Sequence, residues 1–297
     1  GRTRAVDGVS FEFSSGHVFG FVGPNGAGKT TTLRIIATLD ESTAGDVYIN
    51  GVSVSQDPEK VRPMIGFVPD SLPKHSDITV HEYLDFFARA YGLRGRDRTK
   101  AVDGVKDFTR LKGIQNKLLK NLSKGMKQRV SVARALVHDP GILIMDEPAA
   151  GLDPRARVEF RELVSLLSEL NKAILVSSHI LTELTEICNG VVIIEKGKIL
   201  RTGTIAQVLA SETPQCTVTI RVLENAEALR KELILMPNIL NARSVNGRVQ
   251  ADVAGDDQVC CELLRQLLDN GHRVIEFRPM HDDLEDIFMR VTKGEVA

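Results

Sequence analysis

The sequence contains no tryptophan, and its aromatic residues make up only 5% of 297 positions. It has no apolar run near the roughly 18 residues of a membrane-spanning helix, so no segment is expected to cross a bilayer in that form. Nothing at its start has the pattern of a secretory signal. Its four cysteines, Cys188, Cys216, Cys260 and Cys261, make no C-x-x-C pair and no zinc spacing, which fits a reduced compartment and incidental thiols. Neither sign of charge dominates: 38 Lys and Arg stand against 39 Asp and Glu. A near-neutral chain without aromatics among its basic residues argues against nucleic acid as a partner. With 42% hydrophobic residues the chain is long enough to bury a full core, and its length suggests two domains.

What is present is sharper. Gly23 to Thr30 reads GPNGAGKT, the spacing G-x-x-x-x-G-K-[ST] of a loop that wraps a nucleoside polyphosphate. Backbone N–H groups reach phosphate oxygens only where side chains leave room, which is the task of Gly23, Gly26 and Gly28. Lys29 supplies a point charge for the β- and γ-phosphates, and the Thr30 hydroxyl is placed to ligate Mg²⁺. The apolar run Val18 to Val22 predicts a buried strand before the loop, and Thr31 to Leu39 a helix after it. The phosphates of a nucleoside triphosphate would then meet a helix N-terminus, with Gly23, Pro24, Asn25, Gly26, Ala27, Gly28, Lys29, Thr30 and Thr31 all in the cradle.

Ile142 to Glu147 reads ILIMDE, a buried-strand pattern ending in two carboxylates. In a P-loop architecture the first, Asp146, is placed to hold Mg²⁺. The second, Glu147, is placed to polarise an attacking water as general base.

Between these motifs lies LSKGMKQR, Leu122 to Arg129, followed by GLD at Gly151 to Asp153 and SSH at Ser177 to His179. In this order the motifs resemble the ATPase subunit of an ATP-binding-cassette (ABC) transporter over roughly residues 1 to 211. The resemblance implies an α/β fold: a P-loop NTPase core with an antiparallel β layer and a helical subdomain. It also implies that LSKGMKQR, a variant of the usual LSGGQ, closes over ATP held by a second copy of the domain in a head-to-tail dimer. Ser123 and the Gly125 backbone would then contact a γ-phosphate in trans. His179 resembles the switch histidine that contacts the γ-phosphate, and Gly151 to Asp153 the loop coupling the two sites. A separate membrane-spanning permease is implied as partner, with this chain peripheral on the cytoplasmic face of the membrane.

Three departures from the family pattern stand out. Gly66 to Asp70 reads GFVPD where the family usually has glutamine last, so Asp70 takes the place that touches Mg²⁺ and the helical subdomain. A carboxylate can ligate the metal or accept from its water but cannot donate as an amide does. In the signature, Lys124 and Met126 replace a glycine and a glutamine while Ser123 and Gly125 remain. The family also stacks adenine on an aromatic residue just before a segment like GRTRAVDGVSF. This sequence starts at Gly1, so a truncated N-terminus is expected and no adenine-stacking residue is assigned.

The pattern predicts short alternating strands over residues 1 to about 60, with a hairpin around Asn50-Gly51. It predicts helices from about 72 to 138, with Pro69 and Pro73 at their entry. Beyond come strand 142–146, helix 155–170, strand 173–178, helix 180–188 and the hairpin 191–195 with 198–201. Composition changes near Ser211 to Pro214, so residues 1–211 are expected to form the ATP-binding domain and 212–297 a small α+β accessory domain. Residues 216 to 277 read strand, helix, strand, strand, helix, strand, compatible with a ferredoxin-like arrangement. A closing helix is expected over 282–291, and this tail resembles that of exporters of drugs, lipids or polysaccharides.

Basic residues concentrate between Gly92 and Arg129, 12 against 3 acidic. They fit either a solvated helical face or a surface turned to an anionic leaflet. The expected function is ATP hydrolysis powering export through a separate membrane subunit. The alternatives are a soluble ABC ATPase not coupled to transport and a nucleotide-sensing module. A DNA-repair relative is disfavoured, because only 93 positions separate Thr30 from Ser123, too few for a long coiled coil.

Overall fold

Strands that run as unbroken apolar stretches belong in a sheet covered on both faces, and VFGFV, ILIM, AILVSS and GVVIIE behave in that way. The computed structural model describes residues 4–72, 77–180, 184, 186–210, 215–223, 225–281, 288 and 292. These stretches form β1 (Val18–Val22), β5 (Ile142–Met145), β6 (Ala173–Ser178) and β7 (Gly190–Glu195). With β4 (Ile65–Val68) and β8 (Lys198–Thr204) they make a six-stranded sheet in the order β4-β5-β6-β1-β7-β8. The first five are mutually parallel, and β8 returns antiparallel to β7. Val18 lies beside Ile174 and Val22 beside Ser178, so β1 occupies the interior with β6 and β7 as neighbours.

The expected hairpin is β2 (Tyr48–Ile49) and β3 (Val52–Ser53), joined by Asn50 and Gly51 at φ 50° and 79°. Positive φ at both turn residues suits a tight hairpin, and Asn-Gly tolerates it. Among the described residues 4–13 there is no strand. Val9, Phe11 and Phe13 instead pack against the core around Phe21, Leu33 and Ile194. Alternation reports one-sided burial, which packing satisfies without a paired neighbour.

Helix α1 (Lys29–Ile36) follows the loop, and a short α2 (Pro58–Val61) precedes β4. The helical stretch is α3 (Val80–Ala90), α4 (Gly95–Phe108) and α5 (Lys124–Leu136). Thr79 and Glu82 close a capping box on α3. Ser123 caps α5 by accepting from the Met126 amide, and Asp153 caps α6 (Pro154–Glu169) through the Ala156 amide, with Pro154 at its first turn. The expected helix at 180–188 falls partly, and the closing helix at 282–291 largely, outside the described residues, as does Pro73.

The chain divides into two compact units at Ile205/Ala206, at the start of α7 (Ile205–Ala210). The second unit runs β9 (Gln215–Val222), α8 (Ala226–Leu233), β10 (Ile239–Val245), β11 (Arg248–Ala254), α9 (Asp257–Asp269) and β12 (Val274–His281). Its sheet order, β10-β11-β9-β12, is antiparallel throughout and gives the ferredoxin-like arrangement. Leu229, Leu233, Cys260, Leu263 and Leu267 from its helices close the core over Val218, Ile220 and Val249.

Cys188, Cys216 and Cys260 are buried and Cys261 is exposed, all as free thiols. Burial pushes the Cys188 thiol up to about 12, which makes it a poor nucleophile. Six of the 12 basic residues between Gly92 and Arg129 already face carboxylates: Arg98, Lys106, Arg110, Lys112, Lys120 and Arg129. Half of these basic residues are thus engaged in ion pairs, most of them at the surface.

Candidate functional site: a phosphate loop facing two strand ends

The loop from β1 to α1 passes closer to its neighbours than side chains allow. A Cβ on Gly23 would stand 2.2 Å from the Ile194 carbonyl oxygen, and one on Gly28 would stand 2.4 Å from that of Ala5. Gly26 and Gly28 also sit at φ 79° and 102°, the left-handed region that glycine adopts without strain. Gly28 caps α1 without a side-chain acceptor, and no acidic residue lies in the first turn. The first N–H groups of α1 are thus left for an external anion.

Lys29 is 5% exposed. Its ammonium donates to the Gly23 and Pro24 carbonyls at 2.6 and 3.2 Å and lies 3.5 Å from Glu147 Oε1. Burial holds it below the usual lysine range, against the opposing pull of Glu147 and Asp146. Thr31 is half-buried behind the loop, whereas Asn25 and Thr30 are exposed, the Thr30 hydroxyl being open to a ligand.

Asp146 follows the last residue of β5 and is 4% exposed. It accepts from Ser177 Oγ at 2.7 Å, and the same hydroxyl accepts from the Glu147 amide at 2.9 Å. Ser177, from β6, thereby fixes both carboxylate residues. Glu147 stands at φ 47°, a left-handed conformation that costs about 1–3 kcal/mol in a non-glycine residue and is often found at active sites. Its Oε2 accepts from His179 Nδ1 at 2.7 Å, which puts the imidazole proton on Nδ1. Asp70 meets Thr30, Phe67, Asp146 and Glu147 around an open cavity of about 260 Å³.

The structure therefore brings Lys29, Thr30, Asp70, Asp146, Glu147 and His179 together. Ser123 and Gly125 do not line that cavity. They lie at the N-terminus of α5, where the Lys124 ammonium sits over Gly151 of the GLD loop: a Cβ there would be 2.5 Å from Nζ. Sequence reasoning assigns His179 within SSH and passes over Ser177. The signal for Ser177 is its place two residues before that histidine on a strand beside β5.

A triphosphate fits this cradle by its free N–H groups, its glycine-only approach and its buried cation. The donor set at the cavity, Thr30, Asp70 and Asp146, consists of hard oxygens suited to Mg²⁺. Among the described residues no three His, Cys, Asp or Glu converge to hold a metal unaided. A cation there would share its shell with phosphate and water, as Mg²⁺ usually does.

Residues 6–150 match the ABC transporter family. The whole chain aligns at 34% identity with 94% of a Nod factor export ATP-binding protein I from Paraburkholderia xenovorans. The chain belongs to the ATP-binding subunits of ABC transporters. As such it is an ATPase, hydrolysing ATP to ADP and phosphate to power transport, and proteins of this family dimerise and work with membrane permeases. A linearmycin resistance ATP-binding protein of Bacillus subtilis is 28% identical over 98% of the chain and 94% of its own length. A solved ATP-binding subunit of an ABC transporter superposes with TM-score 0.62 at 31% identity, covering 69% of this chain and 85% of that one. A dimeric cassette in a post-hydrolysis state, bound to ADP and Pi, does so with TM-score 0.62 at 27% identity, covering 68% of this chain and 91% of that one. Among the described residues no helix of the ATPase is long and apolar enough to cross a membrane.

Ser177→Ala would leave the Glu147 amide and one Asp146 oxygen without their partner. Leaving a buried polar group unsatisfied costs about 1–3 kcal/mol. Urea denaturation should show a loss of that order, and steady-state ATPase assays a lower kcat. Parent-like values in both would remove Ser177 from the site.

Proposed function

We propose that this ATPase drives export, and that it works as a head-to-tail pair on the cytoplasmic face of a membrane beside a separate permease. Residues 1–211 would act as the ATP-binding domain and 212–297 as an accessory domain. The observation that carries the catalytic reading is one cavity lined by Thr30, Asp70, Asp146 and Glu147, with Lys29 and His179 both reaching the Glu147 carboxylate. Ser123 and Gly125 lie apart from it, as residues serving a partner's nucleotide would. The export direction rests on relatives named for export and for antibiotic resistance.

Catalysis here is positioning plus electrostatics. The Gly23–Thr31 backbone cradles the phosphates of ATP, and Lys29 exchanges its bonds to the Gly23 and Pro24 carbonyls for the β- and γ-phosphate oxygens. Mg²⁺, held by Thr30, Asp146 and Asp70, would neutralise charge on the transferred group. Glu147, released from Lys29, accepts a proton from the attacking water. His179 keeps Glu147 aimed through its Nδ1–H, and would contact the γ-phosphate when its Nε2 also carries a proton. Ser123 and the Gly125 amide of the second copy complete the pocket, so each site needs both copies.

Glu147→Gln keeps the shape of the side chain but cannot take the proton. ATP binding by calorimetry should persist, while turnover falls on the order of 10²- to 10⁴-fold and ATP-bound dimers accumulate on gel filtration. Turnover like that of the parent would exclude Glu147 as the base.

Asp70→Asn replaces an anionic oxygen by a neutral one. It should raise the Mg²⁺ concentration needed for half-maximal hydrolysis, whereas Asp70→Gln, the residue usual in the family, should be tolerated. Identical Mg²⁺ dependence in the parent and Asp70→Asn would rule out Asp70 as a ligand.

A further inference from the structure

Strand β4 is an edge strand of the parallel sheet. Its Val68 carbonyl accepts from the Asp146 amide at 2.8 Å, toward β5. The Ile65 and Phe67 carbonyls, three and one residues before it, point to the other side, as alternation along a strand requires. An edge of this kind exposes unpaired backbone groups. Here they are claimed by α5 and the turn that follows it. Arg134 donates from its guanidinium to the Phe67 carbonyl, and His138 donates from Nε2 to the Ile65 carbonyl at 3.1 Å. A carbonyl only accepts, so the His138 proton is on Nε2; burial holds its pKa below the usual range, which keeps the ring neutral. The backbones also come close together, since a Cβ on Gly66 would stand 2.4 Å from the Ala135 carbonyl oxygen.

Arg134 and His138 are not equivalent. His138 stacks on Tyr91, with ring centroids 3.6 Å apart, and holds the start of the strand, away from Asp70. Arg134 sits over the Phe87 ring of α3, 5.2 Å from its centroid, and its bond falls on Phe67, which lines the cavity with Asp70. Among the described residues no carboxylate pairs with Arg134; its charge meets the Phe67 carbonyl, the Phe87 ring and the Tyr83 hydroxyl. A guanidinium suits this task because its planar fork can donate to an oxygen while its face lies on a ring. The helix that carries Arg134 begins at Ser123, and the strand it grips leads through Val68 and Pro69 to Asp70.

We propose that Arg134 is a positioning residue for the nucleotide site: by holding the Phe67 carbonyl against α5 it sets where β4 ends and so where Asp70 stands in the cavity. The claim rests on the reading of Asp70 as a Mg²⁺ ligand. Arg134 itself touches neither nucleotide nor metal. Asp70 follows the end of β4 by two residues, so the strand behind it bears directly on its place.

The test uses the full-length ATPase, with Mg²⁺-dependent turnover and thermal melting measured on each variant. Arg134→Gln should raise the Mg²⁺ concentration for half-maximal turnover on the order of tenfold or more, since small misplacements behind a site can cost up to about a hundredfold. Affinity for ATP in the absence of Mg²⁺ should stay at the parent value. Arg134→Lys, which keeps a donor for the carbonyl, should recover part of the loss. His138→Ala, which removes the neighbouring grip, should lower the melting temperature and leave the Mg²⁺ dependence unchanged. In an Asp70→Asn background, Arg134→Gln should add little further.

Parent-like Mg²⁺ dependence in a folded Arg134→Gln protein overturns the proposal. So does an equal effect of His138→Ala, which would make both contacts merely structural, and so does a full multiplicative effect in the Asp70→Asn background. Failure of the underlying reading looks different: Asp70→Asn alone would then match the parent, whatever Arg134→Gln does.

Discussion

The close approach of the Gly23–Gly28 backbone to Ile194 and Ala5 is the constraint from which the rest of the site follows. With a Cβ at either glycine the loop would be pushed off β7 and off the N-terminal segment. Pressed into that place, the loop turns the start of α1 and its unfilled N–H groups toward the cavity. It also buries Lys29 beneath its own carbonyls. A buried ammonium without a full counter-charge is held at a cost, and a triphosphate offers it a better partner than two carbonyls and a carboxylate at 3.5 Å. The loop is built around a charge that nucleotide completes.

Across the cavity the same economy of contacts governs the carboxylates. One hydroxyl, Ser177 Oγ, bonds both Asp146 and the Glu147 amide, joining the ends of β5 and β6. Glu147 then leaves the strand in a left-handed conformation that aims its carboxylate at Lys29 and His179. On the far edge, β4 is gripped by α5 through Arg134 and His138. The residues that would meet the metal, the water and the γ-phosphate thus sit at strand ends whose positions are set by neighbouring strands and by one helix.

Much of this was legible in the sequence, because the phosphate loop needs a fixed spacing of small residues and one cation. GPNGAGKT between an apolar run and a helical stretch could hardly fold otherwise, and ILIMDE announced a buried strand ending in acid. The helix caps Thr79, Ser123 and Asp153 emerge only with the structure. Sheet order was not legible either, since Val18 finds Ile174 through contacts more than 150 positions apart. The double bond of Ser177 depends on that pairing, and so lay beyond a reading of SSH alone. The expected strands before residue 14 are not formed among the described residues, because alternating Val9, Phe11 and Phe13 bury one face without acquiring a partner strand.

Lys29 is the one buried cation of the loop. Calorimetry of ATP binding with Mg²⁺ to Lys29→Ala, alongside a melting curve to establish that it folds, measures what that charge supplies. Charge-assisted hydrogen bonds are worth about 1.5–3 kcal/mol each, so affinity should fall by about tenfold to a hundredfold or beyond. A folded Lys29→Ala protein that binds ATP as tightly as the parent would contradict the assignment of Gly23–Thr30 as the phosphate site.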